Sequence, residues 1–285
     1  MKNQHLIYLL FFAFMAAVAC NSNKPAGEDQ AAAQDTLPLP PADTTPINET
    51  GVFMFNYTIA NLPAPVKVLD EYATAGLPVD VSLLNPYKSV SKYESGPSKA
   101  FNFGIYGIDL AYLVVNKRTP DLLNYYNSSR KLAQELNMAE TFDKFTQRFE
   151  NNSENKDSLM HIIDDVYSNT DQYLRSNERL QTASQILAGS WLEAQYITVN
   201  LLRGTERTEA NDTLFRHVWN QRFHLDNISK IFDELKGNNE VDMIKTDLDR
   251  LLGVYKELKD PADVNKEYIE KLAARLNAVR NKIIK

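Results

Sequence analysis

Apolar residues in the C-terminal half of the chain recur at alternating intervals of three and four. Val241, Ile244, Leu248, Leu251, Tyr255 and Leu258 keep that rhythm, and so do Ile269, Leu272, Leu276, Val279 and Ile283. Each set is a heptad seam, the pattern of a helix that buries one stripe against a neighbour. The connection between them, KDPADVNK, is short and contains Pro261, which predicts an antiparallel hairpin with coiled-coil packing. Leu225, Ile228, Phe232 and Leu235 extend the pattern upstream, and Gly237-Asn238 reads as a helix stop. From Asp121 to Asp260 there is no proline and there are only four glycines, too little punctuation for an all-β chain. Thr119-Pro120 reads as a cap followed by proline at the first helical position, opening a helix near residues 120–136. Residues 51–100 differ, because Pro63, Pro65, Pro78, Pro86 and Pro97 cut them into short helices and loops. The predicted fold class is all-α: a multi-helix bundle of antiparallel helical hairpins that ends in a heptad-patterned hairpin.

The pattern fails in residues 21–50, which have almost no large apolar side chains and hold five of the chain's twelve prolines. Such a segment buries too little surface to offset chain entropy and reads as a disordered, Pro-rich stalk. As a coil it would average about 30 Å end to end, and as polyproline II about 90 Å. Lys24 against Glu28, Asp29, Asp35, Asp43 and Glu49 makes it acidic, so most of the formal charge of −6 lies there. The remaining 51–285 segment is close to neutral, which argues against nucleic-acid binding.

Ahead of the stalk, Lys2, an uncharged apolar run from Leu6 to Val18 and small residues have the layout of an export signal over residues 1–19. The run is shorter than the roughly 20 residues a membrane span needs. Ala17-Val18-Ala19 fits two processing routes. An ordinary signal peptidase would release a protein with a free Cys20; a lipobox would instead make Cys20 the acceptor of a diacylglycerol thioether. Cys20 is the chain's only cysteine, and an unpaired thiol is a liability in an oxidising compartment. Lipidation consumes it, so the expectation is a bilayer anchor through acylated Cys20, followed by the stalk to residue 50 and a helical domain over 51–285. Anchoring in a cell envelope follows, at an outer membrane facing the periplasm; NSNK after the cysteine lacks the acidic run expected of surface export, the alternative.

Within the helical part, AFNFGIYGIDLAYLVVN (100–116) places Gly104 and Gly107 in an apolar helix, at a cost of about 1 kcal/mol each relative to alanine. Close approach of a neighbouring helix would compensate. Asp109 lies among Ile108, Leu110 and Leu113, where a carboxylate is unexpected. LAGSWLEAQYITVN (187–200) echoes this stretch: Asp109, Tyr112 and Asn116 match Glu193, Tyr196 and Asn200 at identical spacing. In each helix acid, tyrosine and asparagine at i, i+3 and i+7 share one face. Either this is a decayed duplication, with the acids bonded to tyrosines or arginines of adjacent helices, or two polar stripes line a small-ligand pocket with Trp191 on its wall.

Chemistry-bearing motifs are otherwise missing. His217 and His224 are seven apart, about 10 Å along a helix, and the i, i+4 spacing of H-E-x-x-H does not occur. His161 beside Asp164 and Asp165 reads as a helix surface, so no metal site is expected. Ser190 in AGSW lacks the glycine that follows the nucleophile in G-x-S-x-G and suits helix packing instead. No phosphate-binding or dinucleotide-binding glycine motif and no EF-hand loop is present, so neither a cofactor nor catalysis is predicted. In the last helix Lys266, Lys271, Arg275, Arg280, Lys282 and Lys285 outnumber Glu267 and Glu270. This matches cations to a helix C-terminus or offers contact to an anionic surface.

NFGIYGIDLAY (102–112), RFENNSENKDSL (148–159) and ILAGSWLEAQYI (186–197) resemble segments of helical lipoproteins of Bacteroidetes with no assigned activity. The resemblance spans roughly residues 100–200 and includes the lipobox-and-stalk layout. It implies an envelope location and an all-helical fold, and it brings no catalytic residues. The expectation is a non-catalytic interaction or scaffold module with an envelope protein partner. The alternative is a small-ligand binding protein built on the two acid-and-tyrosine stripes.

Overall fold

The three-four rhythm becomes helix wherever it occurs. A computed structural model describes residues 47–62, 65–235 and 238–285. The export signal, Cys20 and the stalk up to residue 46 therefore lie outside the described residues. Eleven α-helices and three short 3-10 turns make up the regular structure, and there is no strand among the described residues. The helices are α1 (Glu49–Asn61), α2 (Pro65–Thr74), α3 (Gly96–Val115), α4 (Thr119–Glu135), α5 (Ala139–Asp143), α6 (Thr146–Asn151), α7 (Lys156–Ser176), α8 (Leu180–Leu202), α9 (Asp212–Asp233), α10 (Asn239–Tyr255) and α11 (Lys266–Ile283). The chain is an all-α multi-helix bundle. None of these helices is long and apolar enough to cross a membrane.

At the centre α3 packs along α8, the most extensive helix pair in the molecule. Both are buried on nearly every side, which is why their sequences are apolar all round instead of striped. Glycines set their separation. A Cβ on Gly104 would come within 2.2 Å of the Ile186 carbonyl oxygen, and one on Gly189 within 2.1 Å of the Phe101 carbonyl oxygen. Gly107 makes room for a side chain: a Cβ there would sit 2.4 Å from the Tyr167 hydroxyl of α7. The close approach expected from the sequence thus has two glycines facing across one seam.

The C-terminal seams pack as a hairpin. Val241, Ile244, Leu248, Leu251 and Tyr255 are buried, as are Ile269, Leu272, Leu276, Val279 and Ile283. Lys271 bonds Glu257 near the turn and Lys282 bonds Asp247 further along, so α10 and α11 run antiparallel. Leu258 falls beyond the end of α10, yet it still packs against the core.

Two helix boundaries differ from the sequence expectation. Thr119 is not a cap; it is already the first residue of α4, whose cap position holds Arg118 without a capping side chain. Lys117 takes a left-handed conformation (φ 55°), and the Arg118 N–H donates to the Leu113 carbonyl at 2.8 Å. This Schellman-type stop leaves no room for a separate cap. Asn238 likewise starts α10 instead of ending the helix before it, its side chain accepting from the Glu240 and Val241 N–H groups. At the other end α1 begins at Glu49, two residues before the boundary drawn at 51, because Asn48 caps it by accepting from the Gly51 N–H.

Candidate functional site

Asp109 projects from α3 and Glu193 from α8, and both are 0 % exposed. The facing helices bring the two carboxyl groups close enough for the charge of one to act on the other. Arg280, from α11, closes the group. Its Nε donates to Glu193 Oε2 at 2.5 Å and its Nη2 to Oε1 at 2.6 Å, a fork on both oxygens. The same Nη2 donates to the Leu83 carbonyl at 3.0 Å, and the guanidinium lies 4.1 Å from the centre of the Tyr196 ring.

One cation serves two acids, and geometry decides which acid keeps its proton. Burial first, and then the charge of Glu193, raises the Asp109 carboxyl well above the usual carboxylate range, against a smaller opposing pull from Arg280. Its only donor is the Asn85 N–H, at 3.1 Å on Oδ2, while Oδ1 accepts nothing. A neutral Asp109 with its proton on Oδ1 fits that, beside a Glu193 that Arg280 already holds. Burial works against the charge of Arg280, but Glu193 keeps its guanidinium firmly protonated.

Around this centre lies a second layer of buried amides. Asn85 Nδ2 donates to the Tyr93 hydroxyl at 2.8 Å and to Asn102 Oδ1 at 3.3 Å. Asn102 Nδ2 donates to the Ile283 carbonyl at 2.9 Å. Asn102 and Arg280 therefore tie the end of α11, the Leu83–Asn85 loop and the α3–α8 pair into one polar network.

The other stripe residues diverge. Tyr112 is buried, and its hydroxyl accepts from the Asp80 N–H at 2.9 Å. Tyr196 lies under Arg280. Asn116 Nδ2 returns to the Tyr112 carbonyl at 2.8 Å and Asn200 Nδ2 to the Tyr196 carbonyl at 2.7 Å, so the echo does correspond to a repeated local geometry. Asn200 also reaches Asn277 Oδ1 at 3.3 Å. Trp191 points elsewhere: its Nε1 donates to Gln221 Oε1 of α9 at 3.0 Å and its ring packs 6.1 Å from Tyr255. It does not share a wall with the acids.

The sequence singled out Asp109 and Glu193 without showing that they meet; it offered arginines of adjacent helices as partners without naming Arg280, and it missed Asn85 and Asn102. A signal for Arg280 exists. Ile269, Ala273, Leu276, Arg280 and Ile283 are spaced four, three, four and three, which sets an arginine on the inner face of α11. Three other cations of that helix also answer carboxylates: Lys282 and Arg275 meet Asp247, and Lys271 meets Glu257. Among the described residues no cluster of His, Asp, Glu or Cys has the arrangement of a metal site.

A paired acid with a displaced proton is suited to general acid–base work, but here both carboxyls are sealed from solvent and the cavities at the surface are lined by other residues. In this conformation the group fastens helices together. No protein-family model matches the chain, and no curated protein and no solved structure matches it.

Proposed function

We propose that the protein is a lipid-anchored, non-catalytic interaction module of a bacterial cell envelope. Cys20 carries the acyl chains, the Pro-rich segment is the stalk, and the bundle presents a helical surface to an envelope protein, at an outer membrane facing the periplasm. Two or more buried chains make such an anchor stable, at about 0.8 kcal/mol per CH₂.

The observation that carries the reading is on α1. Phe53 and Tyr57 are 64 % and 48 % exposed and stack with their ring centres 6.3 Å apart. They form an aromatic pair on the first helix after the stalk, while Gly51, Phe55 and Thr58 face the bundle. Exposed aromatic patches of this kind mark interaction surfaces. A pocket at the acid stripes has less support, because neither carboxyl has a route to solvent.

A photocrosslinking side chain placed at Tyr57 in native membranes tests this, with Leu123, an exposed leucine on α4, as the control position. One protein adduct of fixed mass from position 57, absent from position 123 and lost in a Cys20→Ser strain, is the expected result. Adducts with lipid alone, or none from correctly folded protein, would remove the scaffold reading.

A further inference from the structure

A groove of about 340 Å³ runs between α1 and α7 with α8 as its floor. Its walls are apolar where Phe55 and Ile59 of α1 face Leu174 of α7 and Leu187 of α8. The volume lies at the low end of the range in which small-molecule sites occur. Its polar groups come mainly from the α7 face, with Ser190 of α8 as the exception, and both its carboxylates are on α7.

Three of them matter. Thr170 Oγ1 and Asp171 Oδ1 are buried and have no hydrogen-bond partner among the described residues. The other oxygen of Asp171 is taken by Arg175, which also donates to Asn56 Oδ1 of α1 at 2.7 Å and so bridges the groove's end. Asp164, at the rim, forms no salt bridge among the described residues; the charged groups acting on it are His161 and Asp165 of its own helix. Asp165 is itself paired with Arg148 at 2.9 Å.

A buried carboxylate oxygen that accepts nothing is costly unless something donates to it. The preceding residue, Thr170, carries a hydroxyl in the same condition, and the rest of the groove is largely aliphatic and aromatic carbon. An occupant that satisfies both requirements has an apolar body and a head that donates hydrogen bonds. With Asp164 uncompensated and Asp171 only half occupied by Arg175, the head that fits best carries positive charge. We propose that this groove binds a small cationic amphiphile, an aliphatic or aromatic chain bearing a primary ammonium group. The ammonium sits at the α7 wall, facing Asp164 and Asp171, and the chain lies along Phe55, Ile59 and Leu187. Partial desolvation at the rim raises the carboxyl of Asp164, an otherwise exposed residue. A fatty-acid carboxylate would meet two acids and is rejected.

Three probes of equal chain length separate charge from apolar burial: n-octylammonium, n-octanol and n-octanoate, each titrated calorimetrically below its micellar range. The protein is the full chain carrying Cys20→Ser, which removes the acceptor thiol of the anchor. Octylammonium is expected to bind at least tenfold more tightly than octanoate, with octanol between them. Asp164→Asn combined with Asp171→Asn should weaken octylammonium at least tenfold and leave octanol within a factor of two. The ranking of the three probes on the unsubstituted groove decides the matter even if that variant fails to fold. Octanoate binding as well as octylammonium, no binding of octylammonium, or a folded double variant with unchanged affinity would each overturn the proposal.

Discussion

Two buried carboxylate sites fasten α11 to the bundle, and they are built on opposite ratios of charge. At the centre, Asp109 and Glu193 share the single cation Arg280, whose side chain is only 5 % exposed. At the edge, the single carboxylate Asp247 of α10 meets three cations: Arg250, Arg275 and Lys282. Arg250 and Lys282 are more than half exposed there. The central site is sealed from solvent and has no second cation among the described residues, so its geometry must be complete. At the edge, losing one cation leaves two, and solvent can cover the difference. Buried charges are thus not equivalent merely because each is paired: the penalty for breaking a pair depends on what replaces the lost partner.

The largest test of that contrast removes the cation. Arg280→Met leaves Glu193 buried without its fork and should lower stability by about 3–5 kcal/mol. Lys282→Met at the edge should cost no more than about 1 kcal/mol, the range of exposed pairs. Urea unfolding of both variants, read by far-UV circular dichroism, checks the difference. Equal losses would mean that the central pair has relaxed toward water and that the comparison fails.

Packing draws the same line between centre and edge. A Cβ at Gly104 meets backbone, 2.2 Å from the Ile186 carbonyl oxygen and 2.8 Å from the Ser190 nitrogen. Backbone cannot rotate out of the way, so Gly104→Ala should force α3 and α8 apart. The expected loss is about 1–3 kcal/mol, despite alanine's better helix propensity. Thermal unfolding of the variant checks the sign as well as the size.

The proton on Asp109 gives the centre a pH signature. Its folded-state pKa lies above the unfolded value of about 3.9. The stabilising contribution of the protonated form is therefore complete below about pH 4. It is lost as pH rises toward the folded-state pKa, because the unfolded chain releases the proton first. The slope is at most about 1.4 kcal/mol per pH unit. Asp109→Asn keeps the shape of the protonated acid: its carbonyl can accept from the Asn85 N–H and its amide takes the place of the protonated oxygen. The variant should match the parent near pH 4 and exceed it in stability at pH 7.5. Denaturant midpoints for both proteins across that interval would expose a parallel pH dependence, which would place the proton elsewhere.

What the sequence revealed follows from which interactions are local. The α10–α11 hairpin was readable because its seam repeats over about four turns and its connection is too short for any other arrangement. Gly104 was readable because glycine in an apolar helix is unfavourable without a close neighbour. Asp109 stood out as a carboxylate on a fully apolar helix. Trp191 was misplaced although its direction was available: two residues separate it from Glu193, about 200° around the helix axis at 3.6 residues per turn, so it had to face away. Arg280 was hidden among four other cations of α11, and only its register on the inner face distinguishes it. Asn85 could not be found at all. It lies in a loop, where no periodicity reports orientation, and its partners are 8 to 24 residues away in sequence. The cap of α4 was misread because Lys117 holds the left-handed conformation usually left to glycine or asparagine.

The smallest effect comes from the glycine that faces nothing. Gly253 lies inside α10, and a Cβ built there finds no atom within 4 Å. It resembles Gly104 in being a mid-helix glycine, and by propensity alone both would gain from alanine by about 0.8–1 kcal/mol. At Gly104 the gain is overwhelmed by contact with α8. At Gly253 nothing opposes it, so Gly253→Ala should raise stability by about 0.5–1 kcal/mol. The pair of substitutions isolates packing from propensity, because residue type and secondary structure are the same at both positions. A loss at Gly253 would show that the outer face of α10 touches something in solution, such as a second chain, and would make that face the next place to look for the partner.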